Sequence, residues 1–361
     1  MSEPLLQLCG QLIGVGFDGL EPPGSLLRRI AQGRVGLVIL FGRNVASPAQ
    51  VALLCKELGA ASPPKAPLAI AVDQEGGRVR RLRAPWPDWP PAATLGARGD
   101  PDLARRAGAA MGVELRACGI HLNLAPVLDV HTRPENPVIG DRAFGTRPEE
   151  VTRLAGAFAE GLHLAGVASC GKHFPGHGDT LEDSHTHLPK VSHPAERLRE
   201  VELAPFASLA SMLPAVMSAH VVFEAWDPHR PSTLSPAVID GLLRRELGFD
   251  GLVLSDDLEM KAVADRYAPE ELATSALEAG VDVISCCHDR ARQERLLAAL
   301  VRRAAEDQGF RARVEAAAHR VARFKERWVV GRPLPDPGEA EAVAADPAHH
   351  ALAAAISQAR E

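Results

Sequence analysis

Eight short apolar runs, separated by amphipathic segments, are the feature that most constrains the fold of this 361-residue chain. Each run is nearly continuous rather than alternating with polar residues, which is typical of strands buried on both faces. The runs lie at residues 12–17, 35–41, 68–72, 122–130, 167–170, 215–223, 252–254 and 281–287. Eight buried strands with helices between them favour a closed barrel over an open sheet, so we predict an α/β fold with a single (β/α)8 TIM-like barrel.

Two of the connecting helices are predicted clearly by the sequence. In the first, apolar residues recur at i, i+3, i+4 and i+7 from Val51, which places them on one helix face. In the second, Ser235 is a good N-cap, Pro236 suits the first helical position, and Gly248 is placed to end the helix. The helix before the sixth run is less regular, because Pro205 interrupts it.

The chain has no low-complexity linker before Gly331. Three prolines within residues 331–338 mark a break, and the remainder is rich in alanine. We therefore predict a barrel domain over residues 1–330, followed over residues 331–361 by a Pro-rich break and a C-terminal helix or tail.

Composition excludes several classes of partner. The formal charge is -6, whereas a nucleic-acid-binding domain is usually basic. The N-terminus lacks the pattern of a signal peptide, and the longest apolar run, residues 35–41, is too short to span a bilayer. The six cysteines form no CxxC pair and most lie in apolar runs, which predicts buried free thiols. We expect a cytoplasmic protein with neither a nucleic-acid nor a membrane partner.

Polar residues follow five successive apolar runs at the point where each strand should end. They are residues 73–81 after the third run, Asn123, Asp129 and residues 141–142 in and after the fourth, 172–185 after the fifth, 218–220 within the sixth, and 255–257 after the seventh. Because the active sites of such barrels lie at the carboxyl ends of the strands, we expect these groups to converge there.

Asp256 is the candidate nucleophile. It ends an apolar strand, where the backbone would hold a carboxylate rigidly at the barrel mouth, able to attack an anomeric carbon. The alternative role for Asp256 is to cap the following helix. Asp257 is better placed for that role, because it lies one residue closer to the helix.

Asp183 and His185 are the candidate acid/base pair. A carboxylate two residues from a histidine can accept its ring proton, orient the imidazole and stabilise the imidazolium, so the pair could deliver a proton near neutral pH. Gly176 and Gly178 give the loop access to unusual backbone angles. The alternative is a loop turn at Asp183 with an incidental histidine beside it.

Three motifs resemble the family 3 glycoside hydrolases, most closely their bacterial β-N-acetylglucosaminidase branch. They are Lys-His-Phe-Pro-Gly-His-Gly at 172–178 with Asp-Ser-His at 183–185, Asp-Gln-Glu-Gly-Gly-Arg-Val at 73–79, and Ser-Asp-Asp-Leu at 255–258. The resemblance spans nearly the whole chain. It implies a retaining hydrolase that removes non-reducing terminal β-N-acetylglucosamine from small carbohydrate substrates, the muropeptides of cell-wall recycling. We expect neither a metal nor a cofactor.

The resemblance also implies roles for individual residues. Asp256 matches the nucleophile, and Asp183 with His185 matches the acid/base pair on a loop after the fifth strand. The sugar-contacting positions are matched by Asp73, Arg81, Arg142, Lys172 and His173. Arg81 and Arg142 could instead form structural ion pairs, and we assign Glu75 and Arg78 to such a supporting network. His220 could face the sugar or support residues that do.

Alternative functions remain open at the level of sequence. A phosphorylase would use phosphate in place of water, and a histidine acid/base would not repel that anion as a carboxylate would. A β-glycosidase of other sugar specificity would share the same machinery. A metallohydrolase is suggested by the histidines and aspartates crowded into residues 173–193, although their spacing lacks a helical HExxH motif. A catalytically inactive sugar-binding protein is a further alternative, and the oligomeric state is left open.

Overall fold

Eight parallel strands form the barrel that the apolar runs predicted, in a computed structural model that describes residues 3–184 and 187–358. The strands are β1 (Ile13–Val15), β2 (Leu37–Leu40), β3 (Ala69–Val72), β4 (Leu122–Asn123), β5 (Ala168–Phe174), β6 (Ala215–Ser218), β7 (Leu252–Ser255) and β8 (Ile284–Cys286). Their order in the sheet is β7-β6-β5-β4-β3-β2-β1-β8. A parallel bridge between Leu254 and Val283 joins β7 to β8 and closes the barrel.

Every residue of these eight strands is buried. Burial on both faces is what the continuous apolar runs indicate, since one face of each strand lines the barrel interior and the other packs against the surrounding helices. The six cysteines are all buried and free, as predicted.

Helices connect the strands and surround the barrel. They span Glu3–Gly10, Gly24–Ala31, Pro48–Ala60, Ala92–Arg98, Pro101–Ala117, Pro148–Leu164, Ala195–Glu200, Ala204–Leu209, Ala237–Glu246, Lys261–Ala264, Pro269–Ala279, Arg290–Glu306, Gln308–Trp328, Pro337–Ala344 and Pro347–Ser357. Within the described residues, none of these helices combines the length and apolar composition needed to cross a lipid bilayer. Two small sheets lie outside the barrel: Gln74–Gly76 pairs with Val79–Arg80, and Lys190–Val191 pairs with Val222–Phe223.

The helix ends agree with the sequence in most respects. The helix Ala237–Glu246 begins just after Pro236, Ser235 Oγ accepts a hydrogen bond from Val238 N at 3.4 Å, and Gly248 follows the helix with φ +66°. The segment before β6 is interrupted, as Pro205 predicted. One helix, Ala195–Glu200, ends before this residue, and a second, Ala204–Leu209, carries it in the first turn, where a proline removes no helical hydrogen bond.

The C-terminal segment packs against the barrel. Helices Pro337–Ala344 and Pro347–Ser357 contact the helices Pro48–Ala60 and Pro101–Ala117, respectively, and the first also contacts Pro101–Ala117. His349 Nδ1 lies 3.0 Å from Oε1 of Glu114, a buried carboxyl group that also accepts a hydrogen bond from Trp89 Nε1 at 3.0 Å. The segment is therefore attached through a buried polar contact as well as apolar packing.

Candidate active site

A cavity of about 420 Å³ opens at the carboxyl ends of the barrel strands. Side chains at the ends of seven strands line it, among them Phe41, Asp73, Leu124, Lys172, Met217, Asp256 and Cys287. The sequence predicted that polar groups would converge at this edge. All five predicted sugar-contacting residues and Asp256 line the cavity.

A network of paired charges forms one wall. Lys172 Nζ lies 2.7 Å from Asp73 Oδ1 and 2.7 Å from Glu75 Oε1, so one buried ammonium joins two carboxylates. Arg142 forms a bidentate ion pair with Glu75, at 2.9 Å from Nε to Oε2 and 2.8 Å from Nη2 to Oε1. Arg81 Nη2 approaches Asp73 Oδ2 at 3.5 Å. Glu75 thus pairs with two cations, and Arg142 both lines the cavity and forms an ion pair.

These contacts fix the ionisation states of the wall. Burial disfavours the ionised form of Glu75, but the charges of Arg142 and Lys172 outweigh burial and hold the pKa of this carboxyl well below its ordinary value. Burial likewise acts against the charge on Lys172, and the carboxylates of Asp73 and Glu75 raise its pKa overall. Glu75 and Lys172 are therefore both charged near neutral pH.

The end of β5 turns two consecutive side chains toward the cavity. The pairing of β5 with β6 shifts register between Lys172 and Phe174, which is a bulge, and bulges re-aim side chains that would otherwise alternate between the two faces. His173 therefore lines the cavity beside Lys172. Its Nδ1 donates to Asp129 Oδ2 at 2.7 Å, and its Nε2 lies 3.3 Å from Arg142 Nη2, so Asp129 sets the orientation of the ring.

The loop after β5 is fastened to the loop after β4. Asp129 Oδ1 accepts a hydrogen bond from the backbone N–H of His177 at 2.6 Å, and Asn136 Nδ2 donates to the His177 carbonyl at 2.8 Å. The His177 ring lies between two hydroxyls, with Nδ1 at 2.8 Å from Thr180 Oγ1 and Nε2 at 2.9 Å from Ser184 Oγ. The sequence contained no signal for these contacts beyond the glycines that permit the loop to pack closely.

Asp256 follows β7 directly, and the strand end that carries it is held from both sides. On one side, Ser255 N donates to Val283 O at 2.9 Å and Ser255 Oγ accepts from Ser285 N at 2.9 Å. On the other, His220 Nε2 donates to the carbonyl of Asp257 at 3.1 Å. Asp256 Oδ1 accepts the backbone N–H of Asp257 at 2.8 Å, so the carboxylate has a defined orientation at the cavity.

Of the predicted acid/base pair, the structure describes Asp183. Asp183 lies in the loop after β5, where its carbonyl accepts a hydrogen bond from His187 N at 2.8 Å. Ser184, the next residue, lines the cavity. His185 lies outside the described residues, so its role remains a prediction. The neighbouring carboxylate of Asp179 pairs with Arg133 at 2.7 Å and with His193 at 2.5 Å.

Three side chains lie together at the rim, and two of them, Glu259 and His288, were not predicted from sequence. Asp257, Glu259 and His288 line the cavity. One carboxylate oxygen from each acid and one ring nitrogen of the histidine lie within 4.8 Å of one another. Both oxygens of Glu259 accept backbone N–H groups, from His288 at 2.6 Å and from Asp289 at 2.7 Å. His288 follows β8 directly. We looked for polar residues after five of the earlier strands. The same search after the eighth strand would have identified His288.

Three histidines within residues 173–193 have separate hydrogen-bonding partners. His173 contacts Asp129, His177 contacts two hydroxyls, and His193 contacts Asp179. Among the described residues, these three rings do not form a group of closely spaced metal-ligand atoms.

Comparison with known proteins gives consistent results. Residues 8–324 match the family model described as the glycosyl hydrolase family 3 N terminal domain. A beta-hexosaminidase of Alkalilimnicola ehrlichii is 43% identical over 288 residues, which are 78% of this chain and 81% of that protein. A beta-hexosaminidase of Methylococcus capsulatus is 45% identical over 297 residues, which are 80% of this chain and 87% of that protein.

Solved structures agree over most of the chain. A family 3 β-N-acetylglucosaminidase from Paenibacillus superposes with a TM-score of 0.89 at 42% identity, and the match covers 98% of this chain and 68% of that chain. NagZ from Neisseria gonorrhoeae, solved in complex with N-trifluoroacetyl-D-glucosamine, gives a TM-score of 0.79 at 32% identity, covering 96% of each chain.

Proposed function

This chain belongs to glycosyl hydrolase family 3, and from that premise we propose that it is a retaining β-N-acetylhexosaminidase that removes a terminal β-N-acetylglucosamine. The observation that carries the proposal is the convergence of Asp256 with the charged wall around Asp73, Lys172 and Arg142 in one cavity. The names of the relatives, and the N-acetylglucosamine analogue bound to the Neisseria protein, support this choice of sugar.

In the first step, a carboxylate oxygen of Asp256 attacks the anomeric carbon and forms a glycosyl-enzyme ester. The bond from that carbon to the leaving oxygen breaks, and His185 gives its proton to this oxygen. Asp183 keeps the imidazole in the correct tautomer and stabilises the ring before the proton leaves. The aglycone departs as a neutral alcohol.

In the second step, neutral His185 removes a proton from a water molecule that attacks the same carbon. The ester bond to Asp256 breaks and the carboxylate re-forms. Two displacements at one carbon restore its original configuration, so the released sugar is the β-anomer.

The wall around Asp73 provides the groups that hold the sugar. A carboxylate such as Asp73 can accept hydrogen bonds from adjacent hydroxyls, while Lys172 and Arg81 can donate to hydroxyl oxygens. Arg142, from the loop after β4, and His173, in β5, complete the set and contact each other. Because these side chains are already paired with one another, little reorganisation is needed when the sugar binds.

The nucleophile is tested by trapping. A fluorinated N-acetylglucosaminyl substrate that slows hydrolysis of the ester should label Asp256, and peptide mass spectrometry would locate the label. Asp256→Ala should lose most turnover while retaining its thermal melting temperature. A label on Asp257, or a fully active Asp256→Ala variant, would show that the wrong carboxylate had been chosen.

Sugar specificity and the acceptor are tested with matched substrates. An aryl β-N-acetylglucosaminide should be cleaved much faster than the corresponding aryl β-glucoside, and the reverse preference would indicate a glycosidase of another specificity. Hydrolysis should give free sugar whether or not inorganic phosphate is present. A sugar 1-phosphate formed with phosphate would instead identify a phosphorylase.

The natural substrates we propose are muropeptides of cell-wall recycling, processed in the cytoplasm. Six buried free thiols are in keeping with a reducing compartment, where disulfides are rare. Incubation with purified disaccharide muropeptides should release N-acetylglucosamine, and fractionation should place the protein with cytoplasmic markers. Activity on aryl substrates without activity on muropeptides would contradict this part of the proposal.

A further inference from the structure

Within residues 181–184, the loop after β5 changes from exposed to buried. Leu181 is 61% exposed and Glu182 is also exposed, whereas Ser184 is only 2% exposed. The hydroxyl of Ser184 lies 2.9 Å from Nε2 of His177, and both side chains are buried. Ser184 is therefore the point at which this part of the loop is attached to the interior.

His177 provides a rigid anchor for that attachment. Its ring is held at Nδ1 by Thr180, and its backbone N–H and carbonyl are held by Asp129 and Asn136. Asp129 also orients His173 in the cavity wall, so Ser184 is connected through two hydrogen-bonded residues to the surface that faces the sugar. Burial lowers the pKa of His177 to about 4, and the ring therefore stays neutral near neutral pH.

We infer that Ser184 is a positioning residue for the proposed acid/base pair. It stands between Asp183 and His185 in the chain, and its hydrogen bond to His177 fixes the position of the loop directly after Asp183. The inference rests on the proposed function, because it assigns to Ser184 the task of holding the pair where it can reach the leaving oxygen. The hydroxyl itself transfers no proton to the substrate.

Ser184→Ala tests the inference when it is compared on two leaving groups. A nitrophenolate needs little protonation to leave, whereas the alcohol of a disaccharide needs a full proton. With kcat/KM as the measure of the first step, we expect a loss of about 10-fold or more on the disaccharide and less than about 3-fold on the nitrophenyl substrate. Ser184→Thr keeps a hydroxyl and should recover most of the disaccharide activity.

Ser169→Ala is the matched control. Ser169 is buried and its Oγ lies 2.8 Å from Nε2 of His163, so the substitution removes the same kind of serine–histidine contact between β5 and the helix Pro148–Leu164, at a residue that does not line the cavity. It should affect both substrates equally. Melting temperatures of all variants would separate a general loss of stability from a selective loss of protonation.

The results also distinguish this inference from the proposed function. If His185→Ala shows the leaving-group dependence and Ser184→Ala does not, the positioning role of Ser184 is wrong and the acid role of His185 stands. If His185→Ala affects both substrates equally, the acid role is overturned and the role of Ser184 with it.

Discussion

Glu75 orients two cations of the cavity wall from behind. Its carboxylate is buried and binds both Arg142 and Lys172, which lie between it and the cavity. Removing one partner of a buried ion pair leaves the others uncompensated in a poorly polarisable environment, which is more costly than losing an exposed pair. The residue thus stabilises the fold and sets the geometry of the wall at the same time.

Glu75→Gln should therefore lower the free energy of unfolding by about 3 kcal/mol near pH 7. Because the folded-state pKa of Glu75 is depressed, its contribution is complete above its ordinary value of 4.5 and is lost as the pH falls below that value. Urea unfolding of parent and variant between pH 7 and pH 3 would measure the difference. A difference that stays constant on acidification would contradict the role assigned to this carboxylate.

Arg81 is the better residue for testing sugar binding, because Lys172 is buried between two carboxylates and its removal would disturb the fold. Arg81 lines the cavity, and its ion pair with Asp73 is long, at 3.5 Å from Nη2 to Oδ2. Arg81→Ala should lower kcat/KM by about 10-fold, as expected for a hydrogen bond from a charged donor. Arg83→Ala is the control, since Arg83 is exposed and does not line this cavity. Unchanged affinity of Arg81→Ala for N-acetylglucosamine would exclude the contact.

At the scale of secondary-structure elements, β5 and its loop carry the largest share of the site. The bulge at the end of the strand places Lys172 and His173, and the loop that follows carries Asp183 and Ser184. This loop packs tightly on the loop after β4. A Cβ at Gly178 would lie 1.8 Å from the carbonyl oxygen of Val130, so a glycine is required there.

Gly178→Ala should separate the two loops and disturb the site from a distance. We expect a loss of about 1–3 kcal/mol of stability, typical of overpacking in a close contact, together with a fall in kcat/KM. Gly42→Ala is the control, because Gly42 also follows a barrel strand but a Cβ there meets nothing within 4 Å. Thermal melts and kinetics of both variants would check this. Equal effects of the two substitutions would refute the packing argument.

The extent to which the sequence predicts these elements follows from what each pattern encodes. The apolar runs located all eight strands, because burial on both faces needs no polar alternation. The fourth run was predicted too long: β4 spans only Leu122–Asn123, because Pro126 has no N–H to donate to a ladder, and pairing with β5 resumes only as a single bridge between Val127 and Lys172. The fifth was predicted too short, because β5 continues to Phe174 and includes Lys172 and His173, whose polarity is compensated only by residues distant in sequence.

Some features of the site could be predicted from local sequence, and others depend on contacts between distant residues. Strand-end position brought Asp73, Lys172 and Asp256 to one cavity, and this could be expected from the chain alone. The pairing of Arg142 with Glu75 joins residues 67 positions apart. Its bidentate geometry depends on how the loops after β3 and β4 fold over the barrel, which no local pattern determines.

At the scale of the whole molecule, the C-terminal segment is attached to the barrel through His349 and Glu114. The hydrogen bond that His349 donates to Glu114 raises the pKa of His349, and burial raises the pKa of Glu114. Both shifts mean that the folded protein binds protons more tightly than the unfolded chain. The contribution of His349 is therefore complete below its ordinary pKa of 6.5 and is lost as the pH rises through its raised value.

His349→Ala should lower stability by about 1–3 kcal/mol near pH 6, because Glu114 loses a partner in a buried position. The gap between parent and variant should narrow above neutral pH. His350→Ala serves as the control, since His350 donates to the Ala344 carbonyl within the segment itself. Denaturant titrations at pH 6 and pH 8.5 would show the effect. If the difference in the free energy of unfolding between parent and variant instead grew toward pH 8.5, the pKa of His349 would be lowered rather than raised in the folded protein.

The cavity wall brings three carboxylates and three cations into one network: Asp73, Glu75 and Asp129 with Arg81, Arg142 and Lys172. The fields of closely paired opposite charges largely cancel at a distance from the pair. Salt screens what remains beyond the Debye length, about 8 Å at physiological ionic strength. A neutral sugar is then captured by direct contact, without long-range attraction to the wall. Raising the salt concentration from about 0.01 to 0.15 M should change kcat/KM by less than about two-fold, so the enzyme should work equally well in dilute and in saline media.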